Sequence, residues 1–133
     1  MSVPLHYSFV LNATPARVYA ALTDSDQFAK FTGDPATIGS GAGDSFSCFG
    51  GMIEGRQVEL VPDVRIVQAW RVKNWQPGVY SIVKFELKAH ADGTTLAFEH
   101  AGFPEEHRPH LHSGWHVKYW EPLKKYLSET NGA

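Results

Sequence analysis

The densest run of chemically capable side chains is His107 to Trp120, HRPHLHSGWHVKYW, where four of the chain's seven histidines fall within ten residues. His112 and His116 stand four apart, so on a helix they share a face at the spacing a zinc pair uses. His107 and His110 join them only if the helix already runs through Pro109. A hydrolytic zinc site also needs a third ligand and a base. No Glu follows either histidine in the HExxH manner, and Cys48 lies far away in sequence. The expectation is a solvated helix face, with no metal and no cofactor.

Three other features invite chemistry. Gly39-Ser40-Gly41-Ala42-Gly43-Asp44 has the composition of a phosphate loop. Such loops lead into a helix whose N-terminal amides hold the anion, whereas the residues that follow here read as a strand. Cys48 alternates in phase with Phe46, which places it inside a sheet as an inert thiol; a catalytic cysteine needs a neighbouring cation or a helix N-terminus. His100 follows Leu96 and Phe98 on an inner face. There it is either a core histidine satisfied by hydrogen bonding or a polar handle for a ligand. Glu54, Arg56, Glu59, Arg71, Lys73, Glu86 and Lys88 read as ordinary outer-face charge, paired across strands.

The elements that hold these groups follow from periodicity. Leu5, Tyr7, Phe9 and Leu11 alternate with polar neighbours as a half-buried strand does. Thr14-Pro15 supplies a hydroxyl cap and a proline at the first helical position, predicting one short helix to about Leu22 and a second from Thr23 or Asp24 to Gly33. Strands are then expected over Ser45–Phe49, Met52–Val61, Arg65–Trp75, Val79–Lys88 and Thr94–His100, separated by turn residues that include Gly50-Gly51, Pro77-Gly78 and Asp92-Gly93. Val79, Ser81, Val83, Phe85 and Leu87 share one face of their strand, as do Leu96, Phe98 and His100 of the next. From about Glu105 to Leu127 the period becomes helical, with Leu111, Trp115, Tyr119, Pro122 and Tyr126 on one stripe and Leu123 at its edge. Bends are expected near Gly114 and Pro122. A curved antiparallel sheet with one greasy face, two short helices after its first strand and one long C-terminal helix buries both only by wrapping the sheet around the helix. The fold class is α+β, a helix grip spanning residues 1–133 as one domain.

Composition removes several function classes. A formal charge of −2 gives no electrostatic footprint for nucleic acid. No apolar run approaches the length of a membrane span, and the N-terminus lacks the basic start and apolar stretch of a signal peptide. One cysteine cannot close an internal disulfide, which favours a reducing, cytoplasmic setting.

Two long runs, FSCFGGMIEGRQVELVPDVRIVQAWRVKNWQPGVYSIVKFEL and GTTLAFEHAGFPEEHRPHLHSGWHVKYWEPLKKYL, resemble the C-terminal domain of the activator of Hsp90 ATPase, a member of the START-like (SRPBCC) superfamily. FVLNATPARVYAALTDSDQFAKFTG is similar to the opening strand and helix pair of the same family. The most specific matches are Gly55, the Leu60-Val61-Pro62 turn, the run from Trp70 to Trp75, Gly102 to Pro104, and Gly114-Trp115 ahead of Tyr119-Trp120. The resemblance implies the helix-grip fold and a helix over the sheet that contains Trp115. It also implies that the four clustered histidines belong to no shared ligand set. The eukaryotic activators have a further N-terminal domain that contacts the chaperone, and this chain is expected to begin directly at the START-like domain.

The expected function is therefore non-catalytic binding of a small hydrophobic or aromatic ligand in a cavity between sheet and C-terminal helix. The expected lining is Phe46, Cys48, Val83, Phe85, Leu96, Phe98, His100, Trp115 and Tyr119. Two rivals stand beside it. One is a protein-interaction module that modulates an Hsp90-type chaperone in stress response. The other is a cyclase- or hydrolase-like enzyme that uses His100 with a tyrosine such as Tyr119 as acid/base pair.

Overall fold

The computed structural model describes residues 3–91 and 93–130. Strand β1 (Leu5–Leu11) is followed by helices α1 (Pro15–Thr23) and α2 (Ser25–Thr32), then β2 (Ala36–Ile38), β3 (Ser45–Cys48), β4 (Ile53–Val61), β5 (Arg65–Val72), β6 (Ser81–His90) and β7 (Gly93–Ala101). The seven strands form one antiparallel sheet in the order β1-β7-β6-β5-β4-β3-β2. A 3-10 turn (Glu105–His107) leads into the C-terminal helix, which consists of α3 (Arg108–Gly114), a π-helical segment (Trp115–Trp120) and α4 (Glu121–Thr130). This is the α+β helix grip expected from periodicity.

Local chemistry sets the boundaries of the early elements. Thr14 caps α1, its Oγ1 accepting from Arg17 N at 3.3 Å, and Pro15 opens the helix. Asp24 caps α2 in turn, Oδ1 accepting from Gln27 N at 2.9 Å. That helix stops at Gly33, whose φ of 80° is left-handed and costs a glycine nothing. Strand β5 ends at Val72, three residues before the expected Trp75, because the buried Arg71 guanidinium gathers the Trp75, Gln76 and Val79 carbonyls into a turn. Arg71 pairs with its cross-strand neighbour Glu54 at 2.6 Å, so the expected pairing forms; the arginine, however, lies beneath its own loop. Strand β2, three residues long, was not expected. Of the Asp92-Gly93 turn, Asp92 falls outside the described residues.

Register aligns the inner face. Ile66 opposes Phe85, Phe85 opposes Phe98, and Phe98 opposes Tyr7, giving an apolar row across four strands. Ser81, Val83, Phe85 and Leu87 are all buried, as are Leu96, Phe98 and His100, in the phase read from the sequence.

The C-terminal helix departs from the expected stripe. Leu111, Trp115 and Tyr119 are buried, but so is Trp120, and beyond it Leu123 and Leu127 replace Pro122 and Tyr126 as the buried positions. The cause is the π segment, where Glu121 N–H donates to His116 O, five residues back. One extra residue in the turn advances the inward face by one position. The segment lies between the two bends expected at Gly114 and Pro122. A wider turn also relieves the clash that the Pro122 ring has with the carbonyl four residues earlier in a regular α-helix.

Candidate functional site

Helix and sheet part company at one end of the grip. Here β4, β5, the turn after β3 and the first half of the C-terminal helix enclose a cleft of about 330 Å³. Phe49, Ile53, Trp70 and Val72 form its sheet side, Leu111, Gly114, Trp115 and Tyr119 its helix side, with Met52 at the mouth. Asp34, His110 and Lys118 are the polar groups on its rim. Gly114 adds no side chain to the helix wall, and nothing lies within 4 Å of where its Cβ would be.

A second, much smaller void of about 10 Å³ lies between Leu22, Phe28, Ile38, Phe46, Cys48, Gln68, Phe85 and Tyr119. Tyr119 is the residue common to both walls. Its ring packs 5.6 Å from Phe28, 5.4 Å from Phe49 and 4.2 Å from Trp115. Its hydroxyl meets Cys48 Sγ at 3.9 Å, a weak contact. Burial raises the Tyr119 hydroxyl well above the usual phenol range, with Cys48 adding to the rise and the neighbouring Trp70 indole pulling the other way. That Trp70 Nε1–H lies beside the Tyr119 hydroxyl without closing a hydrogen bond to it. With Trp120 Nε1, it is one of two buried side-chain polar atoms that lack a partner among the described residues. Burial pushes the Cys48 thiol up to about 12, far from the range of a nucleophile.

His100 is fully enclosed. Trp115 Nε1–H donates to its Nδ1 at 3.0 Å, which leaves the proton on Nε2. Nε2–H then donates to Ser81 Oγ at 2.8 Å, and the Ser81 hydroxyl donates to Trp70 O at 2.7 Å. Every polar atom in this chain is satisfied, and burial lowers the imidazole pKa to about 3. His100 thus takes the form of a core histidine that ties helix to sheet.

The histidine cluster disperses. His107 stacks on Trp75 at 5.9 Å, and His110 stands on the cleft rim. His112 and His116 sit 4.8 Å apart beside Tyr7, whose hydroxyl lies 2.7 Å from His112 Nδ1. Among the described residues no three His, Cys, Asp or Glu side chains come together as a metal set.

Of the expected lining residues, Trp115 and Tyr119 border the cleft, while Phe46, Cys48, Phe85 and again Tyr119 surround the inner void. Val83, Leu96, Phe98 and His100 stand in the packed core and border neither. Sequence reasoning missed Phe49, Met52, Ile53, Trp70, Val72 and Lys118. Trp70 and Val72 follow Ile66 and Gln68 at two-residue spacing, so the phase of β5 carried the missing signal.

Comparison with known proteins places this geometry among relatives. Residues 12–128 match the model of the family described as Activator of Hsp90 ATPase homolog 1-like protein. The chain is 28% identical over 129 residues to the mouse activator of 90 kDa heat shock protein ATPase homolog 2, covering 97% of this chain and 39% of that one. It thus spans well under half the length of that relative. A crystal structure of an HSP90 activator from Plasmodium falciparum superposes with a TM-score of 0.89 at 21% identity, over 96% of this chain and 97% of that one. The solution structure of the Aha1 dimer from Colwellia psychrerythraea gives 0.83 at 20% identity, over 98% and 100%. At such identities these two structures speak to fold alone.

Proposed function

The chain belongs to the family of Activator of Hsp90 ATPase homolog 1-like proteins, and from that premise we propose that it binds a small apolar or aromatic molecule in the cleft between β4–β5 and the C-terminal helix. The cleft carries this reading. Its walls are aromatic and aliphatic with three polar groups at the rim, the make-up of a small-molecule site, and about 330 Å³ lies at the small end of the usual range. Ligand capture without chemistry is favoured because both nitrogens of His100 are engaged and the ring is sealed from the cleft, while the Cys48 thiol stays protonated. A cytoplasmic setting fits a chain with a single, buried cysteine. No described helix is long and apolar enough to cross a membrane.

The test is an amide-shift titration with a panel of flavonoids, aromatic polyketides and fatty acids. Binding at micromolar strength is expected to move the amides of Phe49, Trp70, Gly114 and Tyr119. A panel in which no compound moves them overturns the reading.

A second reading is supported by the names of the curated relatives: modulation of an Hsp90-type chaperone, as in a stress response. Here the cleft, with the exposed Met52 at its mouth, accepts an apolar side chain of the chaperone. Stimulation of a purified Hsp90 ATPase, abolished by Met52→Asp, is the expected outcome under this reading.

A further inference from the structure

The cleft and the inner void are separated by one side chain. Tyr119 lines both, and its hydroxyl makes only a weak 3.9 Å contact to Cys48 Sγ with the Trp70 indole beside it. It rises from the π segment, where backbone bonds reach five residues back and the following Pro122 contributes no N–H. Phe49, one of the rings that confine it, is only half-buried. On the cleft side, beside the Tyr119 hydroxyl, the Trp70 indole N–H is buried and has no acceptor. Leaving such a group buried and unpaired is unfavourable, and a ligand recovers that loss by supplying the missing oxygen.

We propose that Tyr119 gates one longer cavity, and that its ligand is an elongated, mostly apolar molecule whose inner end carries a neutral carbonyl or ether oxygen that accepts from Trp70 Nε1–H. This rests on the ligand reading above and specifies its chemistry. Around Tyr119 the indole N–H, the phenol hydroxyl and the Cys48 thiol each offer a hydrogen, while Gln68, the other polar side chain on the inner void, is already bonded to Gln57 at 3.1 Å. They call for an acceptor. None of the residues around the inner void is charged, so a carboxylate buried there would lack a counter-ion. An anionic group belongs at the rim, beside Lys118.

The probes are 6-propionyl-2-(dimethylamino)naphthalene, its 6-propyl analogue without the carbonyl, and 6-(dimethylamino)-2-naphthoic acid. With the parent protein the ketone is expected to bind about tenfold more tightly than the propyl compound, as one recovered hydrogen bond implies, and the acid more weakly than the ketone. Tyr119→Leu opens the partition and is expected to tighten the ketone severalfold. Trp70→Phe is expected to erase the preference for ketone over propyl compound. Because Trp70→Phe perturbs the core, the indole N–H resonances of the parent protein give an independent readout: the Trp70 signal moves downfield with the ketone and stays in place with the propyl compound. Equal affinity for ketone and propyl compound, or an affinity for the ketone that Tyr119→Leu leaves unchanged or weakens, overturns the gate while the ligand reading survives. Failure of all three probes to bind overturns both.

Discussion

Trp115 and His100 are joined across the interface between helix and sheet, the indole Nε1–H donating to imidazole Nδ1 at 3.0 Å. This bond commits the histidine to its neutral form. In the unfolded chain the same group titrates near its ordinary value of about 6.5, whereas burial lowers it to about 3 in the fold. Between those values the unfolded state binds more protons, so stability rises with pH through this window. The contribution is complete above about pH 6.5 and is lost as pH falls toward 3, at up to about 1.4 kcal/mol per pH unit. Urea midpoints measured from pH 7 to pH 4 are expected to fall steeply in the parent. His100→Gln, whose amide offers a donor and an acceptor but does not titrate, is expected to flatten that slope.

The other end of the same bond gives a graded pair of variants. Trp115→Ala removes a buried indole and is expected to cost about 3–5 kcal/mol. Trp115→Phe keeps most of the packing but leaves His100 Nδ1 unpaired, at a cost of about 1–3 kcal/mol. Equal urea midpoints for parent and Trp115→Phe would show that the hydrogen bond adds nothing.

Gly55, opposite Trp70 in the β4–β5 pair, has no room for a methyl group. A Cβ there would fall 1.8 Å from the Ala69 carbonyl oxygen and 2.8 Å from Phe46 Cε2. Backbone cannot yield as a flexible side chain can, so Gly55→Ala is expected to destabilise by about 3 kcal/mol, the upper part of the overpacking range. A thermal melt reads this directly.

Cys48 is expected to ignore a thiol reagent in the native protein. With its pKa raised to about 12 by burial, the thiolate is scarce at neutral pH and shielded as well. An aromatic disulfide reagent should titrate no thiol until urea unfolds the chain, and one thiol afterwards. Rapid native labelling would show that the β3 end of the sheet opens.

Much of this architecture was legible in the residues. Ser81 to Leu87 and Leu96 to His100 alternate so regularly that the sheet's inner face could be assigned, and Thr14-Pro15 marks a helix start by its own chemistry. Strand β2 was not legible, because three residues show no period. Arg71 looked like any outer-face cation; only the fold of the loop over it, through three carbonyls, makes it interior. The helix stripe was read correctly as far as Tyr119 and then lost, since a π turn shifts the phase of everything after it. The cleft was harder still. Alternation tells which residues face inward, and it says nothing of where the helix lifts off the sheet. Val83 and Trp70 both face inward, yet only Trp70 reaches the opening.

The four tryptophans follow one another in space as a single row. Trp120 stacks on Trp115 at 5.5 Å, Trp115 lies 5.4 Å from Trp70, and Trp70 lies 6.0 Å from Trp75. At such spacings an excited indole passes its energy to the next faster than it emits. The four indoles are therefore expected to emit as a coupled group and to give split bands in ultraviolet circular dichroism. Two members of that row form walls of the cleft. Any quencher or energy acceptor that settles there drains all four, which makes the native protein its own optical detector for whatever enters.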